Sequence, residues 1–236
     1  MTPLLGEFIG TAVVIAFGDG VVGNVLLSKT KGNNGGWIVI TFGWAMAVFV
    51  GVYSVAAVSG AHLNPAVTLA LAITGKFPLN DVLPYICAQL TGGFTGAILV
   101  WLLDRKHFNI TESAEIKLAV FFTGPAIRDG FDNLVSEIVA TFLFILGVLF
   151  IVSPQSSLGA LDALPVALLV LAVGLSLGGS TGYAINPARD IGPRIAHSLL
   201  PIKNKRDSDW SYAMVPIMGP FIGAALAALV FKYFLQ

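Results

Sequence analysis

The 236 residues are 56% hydrophobic and 11% charged, with thirteen basic and thirteen acidic side chains and a formal net charge of zero. A soluble domain carries about 25% charged residues, so this composition, with a mean hydropathy of +0.85, describes a chain that faces lipid. The zero balance argues against nucleic acid or any strongly charged partner; the single cysteine, Cys87, excludes an intrachain disulfide or thiolate metal cluster and reads as a small buried residue of a membrane helix.

In chain order, the first apolar span is Leu4–Leu27. No basic stretch precedes it and Glu7 lies inside it, so it reads as a retained membrane helix and not as a signal peptide. Asp19, in Phe17-Gly18-Asp19-Gly20, falls near its end and is expected to reach the interface. Further spans are Trp37–Val58, Val82–Leu103, Leu134–Val152, Leu164–Leu177 and Tyr212–Phe234. The fifth is short and can draw on Ser180–Tyr183. The polar connection Asp104–Asp132 is the natural joint between two halves. The expected fold class is therefore an all-α membrane protein with six transmembrane helices in one domain, residues 1–236.

Asn64-Pro65-Ala66 follows the second span and Asn186-Pro187-Ala188 the fifth. Each is a helix-start signal, because Asn is a favoured N-cap and Pro is pre-shaped for the first helical position. Ala66 to Gly75 gives roughly 10 residues, or ~15 Å, about half of a ~30 Å hydrocarbon core. Two re-entrant half-helices meeting near the midplane are the plan of a channel or transporter. Gly6-Glu7-Phe8-Ile9-Gly10-Thr11 opens the first half and Ser136-Glu137-Ile138-Val139-Ala140-Thr141 the second. The halves, about 1–108 and 132–236, read as copies, and three spans per copy make the repeat inverted.

This spacing has physical consequences. Asn64 and Asn186 can cap their half-helices through the side-chain carbonyl and turn the amide NH2 toward a lumen. The helix N-termini add partial positive charge there, a barrier to cations but not to a neutral hydroxyl. Non-helical backbone at membrane depth must line a cavity or be buried in protein. Gly60, Ala61, His62 and Leu63 before one cap, and Gly182, Ala184 and Ile185 before the other, therefore present carbonyls or wall to the lumen. Glu7 and Glu137 are functional suspects as intramembrane carboxylates; a scaffold role, accepting N–H bonds from the non-helical stretch of each half, competes with a proton relay. Arg189 has no counterpart after the first tripeptide, where Val67 stands. Its permanent donors can bind hydroxyls and repel cations, or it can snorkel or pair with Asp190. Asp190 is read as organising its half-helix, by accepting N–H bonds or pairing with Arg194. His62 has no His or Cys partner for a metal.

The two tripeptides, the paired Glu residues and the stretches 59–68 and 182–190 together resemble the aquaporin, or major intrinsic protein, family across nearly the whole chain. Within it, Arg189-Asp190 and the long connections at 104–131 and 198–211 resemble the glycerol-conducting branch. The resemblance implies a selectivity filter of Trp44, Gly174, Tyr183 and Arg189. In it Gly174 leaves room, Trp44 and Tyr183 form an apolar corner, and Arg189 with nearby carbonyls binds hydroxyls. Phe is common where Tyr183 stands, so the preferred solute stays open among glycerol, water, dihydroxyacetone, urea and protonated lactic acid. A proton-coupled transporter is the rival class; an enzyme would need a nucleophile beside a base, and none is seen. The resemblance further implies a homotetramer in the cell membrane, cytoplasmic termini, no cofactor and no metal. The loop charges point the other way: Lys29, Lys31, Arg105, Lys106, Lys117, Arg128, Lys203, Lys205 and Arg206 share the face opposite the termini, which by the positive-inside rule puts the termini outside.

Overall fold

A computed structural model describes residues 1–151 and 161–235; Val152, the expected end of the fourth span, and Gln236 lie outside them. The described residues are helical, in the order α1 (Pro3–Leu26), α2 (Trp37–Ser59), α3 (Pro65–Ile73), α4 (Leu79–Ile110), α5 (Ala114–Ala119), α6 (Gly130–Ile151), α7 (Leu164–Leu177), α8 (Pro187–Leu199) and α9 (Met214–Val230), closed by a π-turn at Phe231–Leu235. Helices α1, α2, α4 and α6, and α9 with its π-turn, are long and apolar enough to cross a bilayer, and α7 is a shorter apolar helix.

Helix α1 packs on α2 and α4, and α6 packs on α7 and α9. Small residues make the tightest contacts possible. A Cβ added to Gly92 or Gly96 of α4 would lie 2.4 Å from Phe8 O or 2.6 Å from Ala12 O of α1. In the second half, one added to Gly223 of α9 would lie 2.5 Å from Ile138 O of α6. In lipid, where apolar burial drives little association, such close backbone contact is what holds helices together.

Helices α3 and α8 hold nine and thirteen residues, about 14 and 20 Å at 1.5 Å per residue, too short to cross. Both begin at an Asn cap followed by Pro. The end of α3 meets the C-terminal turn, where Lys232 Nζ donates to Ile73 O at 3.1 Å.

Four sequence expectations are corrected. Helix α7 does not borrow from Ser180–Tyr183, because it stops at Leu177 and the next residues are non-helical; Gly182 N–H turns back to Gly178 O and the Thr181 hydroxyl donates to buried Glu137 instead. Helix α4 runs on past Leu103 to Ile110 across a kink at Asp104, anchored by fully buried Phe108. The connection after it is not simply polar: it contains α5, and Val120, Phe121 and Phe122 are buried in the core. Cys87 is exposed, on the outer face of α4, not buried.

Candidate functional site

The two half-helices start alike. Asn64 Oδ1 accepts the Ala66 N–H at 2.8 Å, and Asn186 Oδ1 accepts those of Ala188 and Arg189 at 3.0 and 3.3 Å. Their amides are not wholly turned to the lumen. Asn64 Nδ2 donates to Ile185 O and Asn186 Nδ2 to Leu63 O, each at 2.9 Å. The caps are thus tied crosswise, and each amide keeps one N–H without a partner among the described residues.

Behind each cap stands a buried carboxylate. Glu7 accepts from Ser59 Oγ (2.7 Å), His62 N (3.0 Å), Leu63 N (2.7 Å) and Gln89 Nε2 (2.7 Å). Glu137 accepts from Thr181 Oγ1 (2.6 Å), Ala184 N (3.0 Å) and Ile185 N (3.1 Å). These bonds hold an unusual backbone. Ala61 and Leu63 have φ of 50° and 51°, and Tyr183 and Ile185 both 41°. Left-handed non-glycine residues cost about 1–3 kcal/mol each and persist only where the surroundings fix them; charge-assisted bonds from a buried carboxylate supply that fixing. The consequence is directional. With the N–H groups turned to the carboxylates, the carbonyls of Gly60, Ala61 and His62, and of Gly182, Tyr183 and Ala184, accept no hydrogen bond among the described residues.

These stretches line a cavity of about 600 Å³. Trp44, Tyr183, Arg189, Asn64, Asn186, Ile151 and Asp162 are among the residues that line it. Gly60, Ala61, His62, Leu63, Ala184 and Ile185 line it, and Val14, Val48, Val52, Leu71 and Val148 supply apolar wall. Gly182 does not; its backbone (φ 83°) turns beside Thr123 instead. Glu7 and Glu137 also lie off the wall. His62 bonds Thr68 Oγ1 through Nδ1 at 3.1 Å and packs its ring on Phe77 and Tyr85.

Gly174 departs from the expectation of open room. A Cβ there would sit 2.9 Å from Tyr183 Cζ and 2.9 Å from Thr41 Cγ2, and Gly174 does not line the cavity. The missing side chain makes space for the Tyr183 phenol, and Trp37 locks this corner by donating Nε1–H to Gly174 O at 3.0 Å. Trp44 and Tyr183, 5% and 6% exposed, face the cavity and not lipid.

Arg189 lies over the Trp44 ring, with its guanidinium carbon 4.3 Å from the centroid, and its Nη1 donates to Phe121 O at 3.1 Å. Its carboxylate neighbour is Asp19, at 3.4 Å, and not Asp190. Asp19 does not reach the interface; it is fully buried. Asp190 is engaged elsewhere, by Arg194 Nε (2.7 Å) and Nη2 (3.1 Å) and by Thr123 N and Oγ1. Arg194 also donates to Ser208 O and Asp209 O. The sequence reading missed Phe121 and Thr123, although Val120-Phe121-Phe122 is an apolar run inside a polar connection and was the available signal.

Four of the nine basic residues in these connections are engaged by carbonyls or carboxylates of the protein. Lys117 donates to Lys203 O and Lys205 to the last carbonyls of α8, Arg206 pairs with Glu115, and Arg128 with Asp209. Burial holds both the Lys117 and Lys205 ammoniums below the usual lysine range, helped at Lys117 by Lys203.

Comparison with known proteins agrees with this geometry. The family described as Major intrinsic protein matches residues 1–231. The chain is 53% identical over 229 residues to Glycerol uptake facilitator protein 3 of Lactiplantibacillus plantarum, covering 97% of this chain and 95% of that one. It is 54% identical over 233 residues to the Probable glycerol uptake facilitator protein of Thermotoga maritima, covering 99% of each. The X-ray structure of the aquaglyceroporin from Plasmodium falciparum superposes with a TM-score of 0.82 at 29% identity, over 98% of this chain and 95% of that one. Shared architecture and relatives over nearly the full length leave one conclusion: this membrane protein belongs to the major intrinsic protein family.

Proposed function

We propose that the protein is a passive channel for small uncharged solutes, with glycerol as the main solute and water as a companion. The observation that carries this is the mixed lining of the cavity. It brings acceptor carbonyls, two Asn amides and the Arg189 guanidinium together with Trp44, Tyr183 and aliphatic side chains. A three-carbon polyol has the same dual character, with hydroxyls and C–H groups on one short chain. Its hydroxyls exchange water for fixed partners, and its carbons meet an apolar wall. The names of the relatives point to the same solute.

Passive flux, and not proton coupling, follows from the carboxylates. Glu7 and Glu137 are occupied as backbone acceptors off the cavity wall. We read residues 1–108 and 132–236 as inverted repeats, the assembly as a homotetramer in the cell membrane, and the termini as cytoplasmic. Trp44, Tyr183 and Arg189 form the filter, with Gly174 as the seat of Tyr183.

The test is stopped-flow light scattering on purified protein in liposomes, comparing glycerol, water, urea, dihydroxyacetone and lactic acid at several pH values. Fast glycerol entry that does not saturate is expected. Gly174→Ala should push Tyr183 toward the lumen and reduce glycerol entry several-fold while water flow falls less. Strong water flow with slow glycerol entry, or an acid flux that collapses as pH rises, would assign another solute to the same pore.

A further inference from the structure

We infer that Asp19 is a positioning residue of the filter, the buried counter-charge that makes the Arg189 end of the pore electrically neutral and fixes which guanidinium edge faces the solute. The inference rests on the channel reading and goes beyond the four residues that line or seat the filter.

The geometry starts on α1. Gly18 lacks a side chain where the Trp44 ring lies, since a Cβ there would be 2.3 Å from Trp44 Cζ3. The ring therefore presses directly on α1, and the next residue, Asp19, stands behind Arg189. Asp19 is fully buried and off the cavity wall. Its Oδ1 is 3.4 Å from Arg189 Nη1, and its Oδ2 has no hydrogen-bond partner among the described residues. Arg189 is consequently held from three directions: Asp19 and Phe121 O share Nη1, and Trp44 lies under the plane. Its Nε and Nη2 make no hydrogen bond among the described residues and are left for the solute.

The charges around this point balance in pairs. Asp190 is gripped by two nitrogens of Arg194, and Asp209 is paired with Arg128. Asp19 is what remains to compensate Arg189. In a low-dielectric site an uncompensated charge acts strongly on any passing ion. With Asp19 in place, the filter offers directional donors without a net positive field, so neutral polyols are bound by geometry and anions gain no attraction. Cation exclusion then rests on the directed guanidinium and on the two half-helix N-termini.

The experiment measures potassium and chloride permeability, from reversal potentials and ion-sensitive dyes, in liposomes carrying equal amounts of monodisperse wild-type, Asp19→Asn, Asp19→Glu, Arg189→Val or Asp19→Asn/Arg189→Val protein. Glycerol and water flow are read in the same vesicles. Arg189→Val leaves the carboxylate alone and should raise potassium leak about tenfold or more; adding Asp19→Asn should bring it back to within about twofold of wild type. Asp19→Asn alone should shift the reversal potential toward chloride and lower the glycerol-to-water ratio, while Asp19→Glu keeps wild-type ion selectivity. Equal potassium leak from the single and double Arg189 variants would overturn the inference, as would wild-type selectivity in Asp19→Asn. A wild-type protein that fails to conduct glycerol would instead sink the solute assignment and leave the ion measurements standing.

Discussion

The two half-helices share one cap geometry and differ in almost everything around it. Helix α3 carries no charged residue; near its start Gln89 reaches both Glu7 and Thr68 and His62 bonds Thr68, and at its end Lys232 donates to Ile73 O. Helix α8 carries Arg189, Asp190 and Arg194, all buried, in a lattice with Thr123, Ser208 and Asp209. The reciprocal Asn bonds need only what the halves have in common, a cap and an open carbonyl. The proposed filter takes Arg189 and Tyr183 from the second half and Trp44 from the first, and Arg189 has no counterpart after the first cap. The caps are symmetric and the proposed filter is not.

The sharpest way to break this comparison is at Arg194, which is 0% exposed. Arg194→Met leaves Asp190 as an uncompensated buried charge and should destabilise the fold by about 3–5 kcal/mol. Its neutral counterpart, Gln89→Leu, should cost about 1–3 kcal/mol. Thermal unfolding in detergent reads both, and equal losses would contradict the asymmetry.

The carboxylates come next. Glu137→Gln sets an NH2 against Thr181, Ala184 and Ile185 donors and should cost about 2–3 kcal/mol. Glu7→Gln should cost about 1 kcal/mol less, because Gln89 Oε1 is unpartnered and can turn to accept from the new amide. The same unfolding measurement ranks them, and glycerol flux should survive Glu7→Gln in the folded fraction without any dependence on a proton gradient.

At the caps, Asn64→Ala and Asn186→Ala should each cost about 1–2 kcal/mol. Asn186 caps two N–H groups where Asn64 caps one, so its loss should be the greater. The smallest effect is expected at Tyr183, whose buried hydroxyl lacks a partner among the described residues. Tyr183→Phe should be neutral or stabilising by up to about 1 kcal/mol. A clear loss of stability or of glycerol flux would mean that the hydroxyl contacts the solute path.

Much of this was legible in the residues themselves. Local rules mark a helix start from Asn-Pro-Ala, a membrane span from its hydropathy, and a suspect from a carboxylate inside such a span. These depend on backbone chemistry and on lipid as solvent, so Asn64, Asn186, Glu7, Glu137 and the helix order could be read without coordinates. Even the Asp190–Arg194 pair was accessible, since helix geometry places residues four apart side by side.

What only the tertiary structure decided was which distant groups occupy the same space. Asp19 and Arg189 are 170 residues apart in sequence, and nothing local turns Asp19 inward; that follows from Trp44 pressing on Gly18. Gly174 spoke of an opening, yet the room belongs to Tyr183, because an absent side chain marks space without naming its occupant. Phe121 looked like part of a surface connection until its carbonyl appeared on Arg189. Sequence determined the frame through short-range chemistry, and packing across the two halves decided what surrounds Arg189.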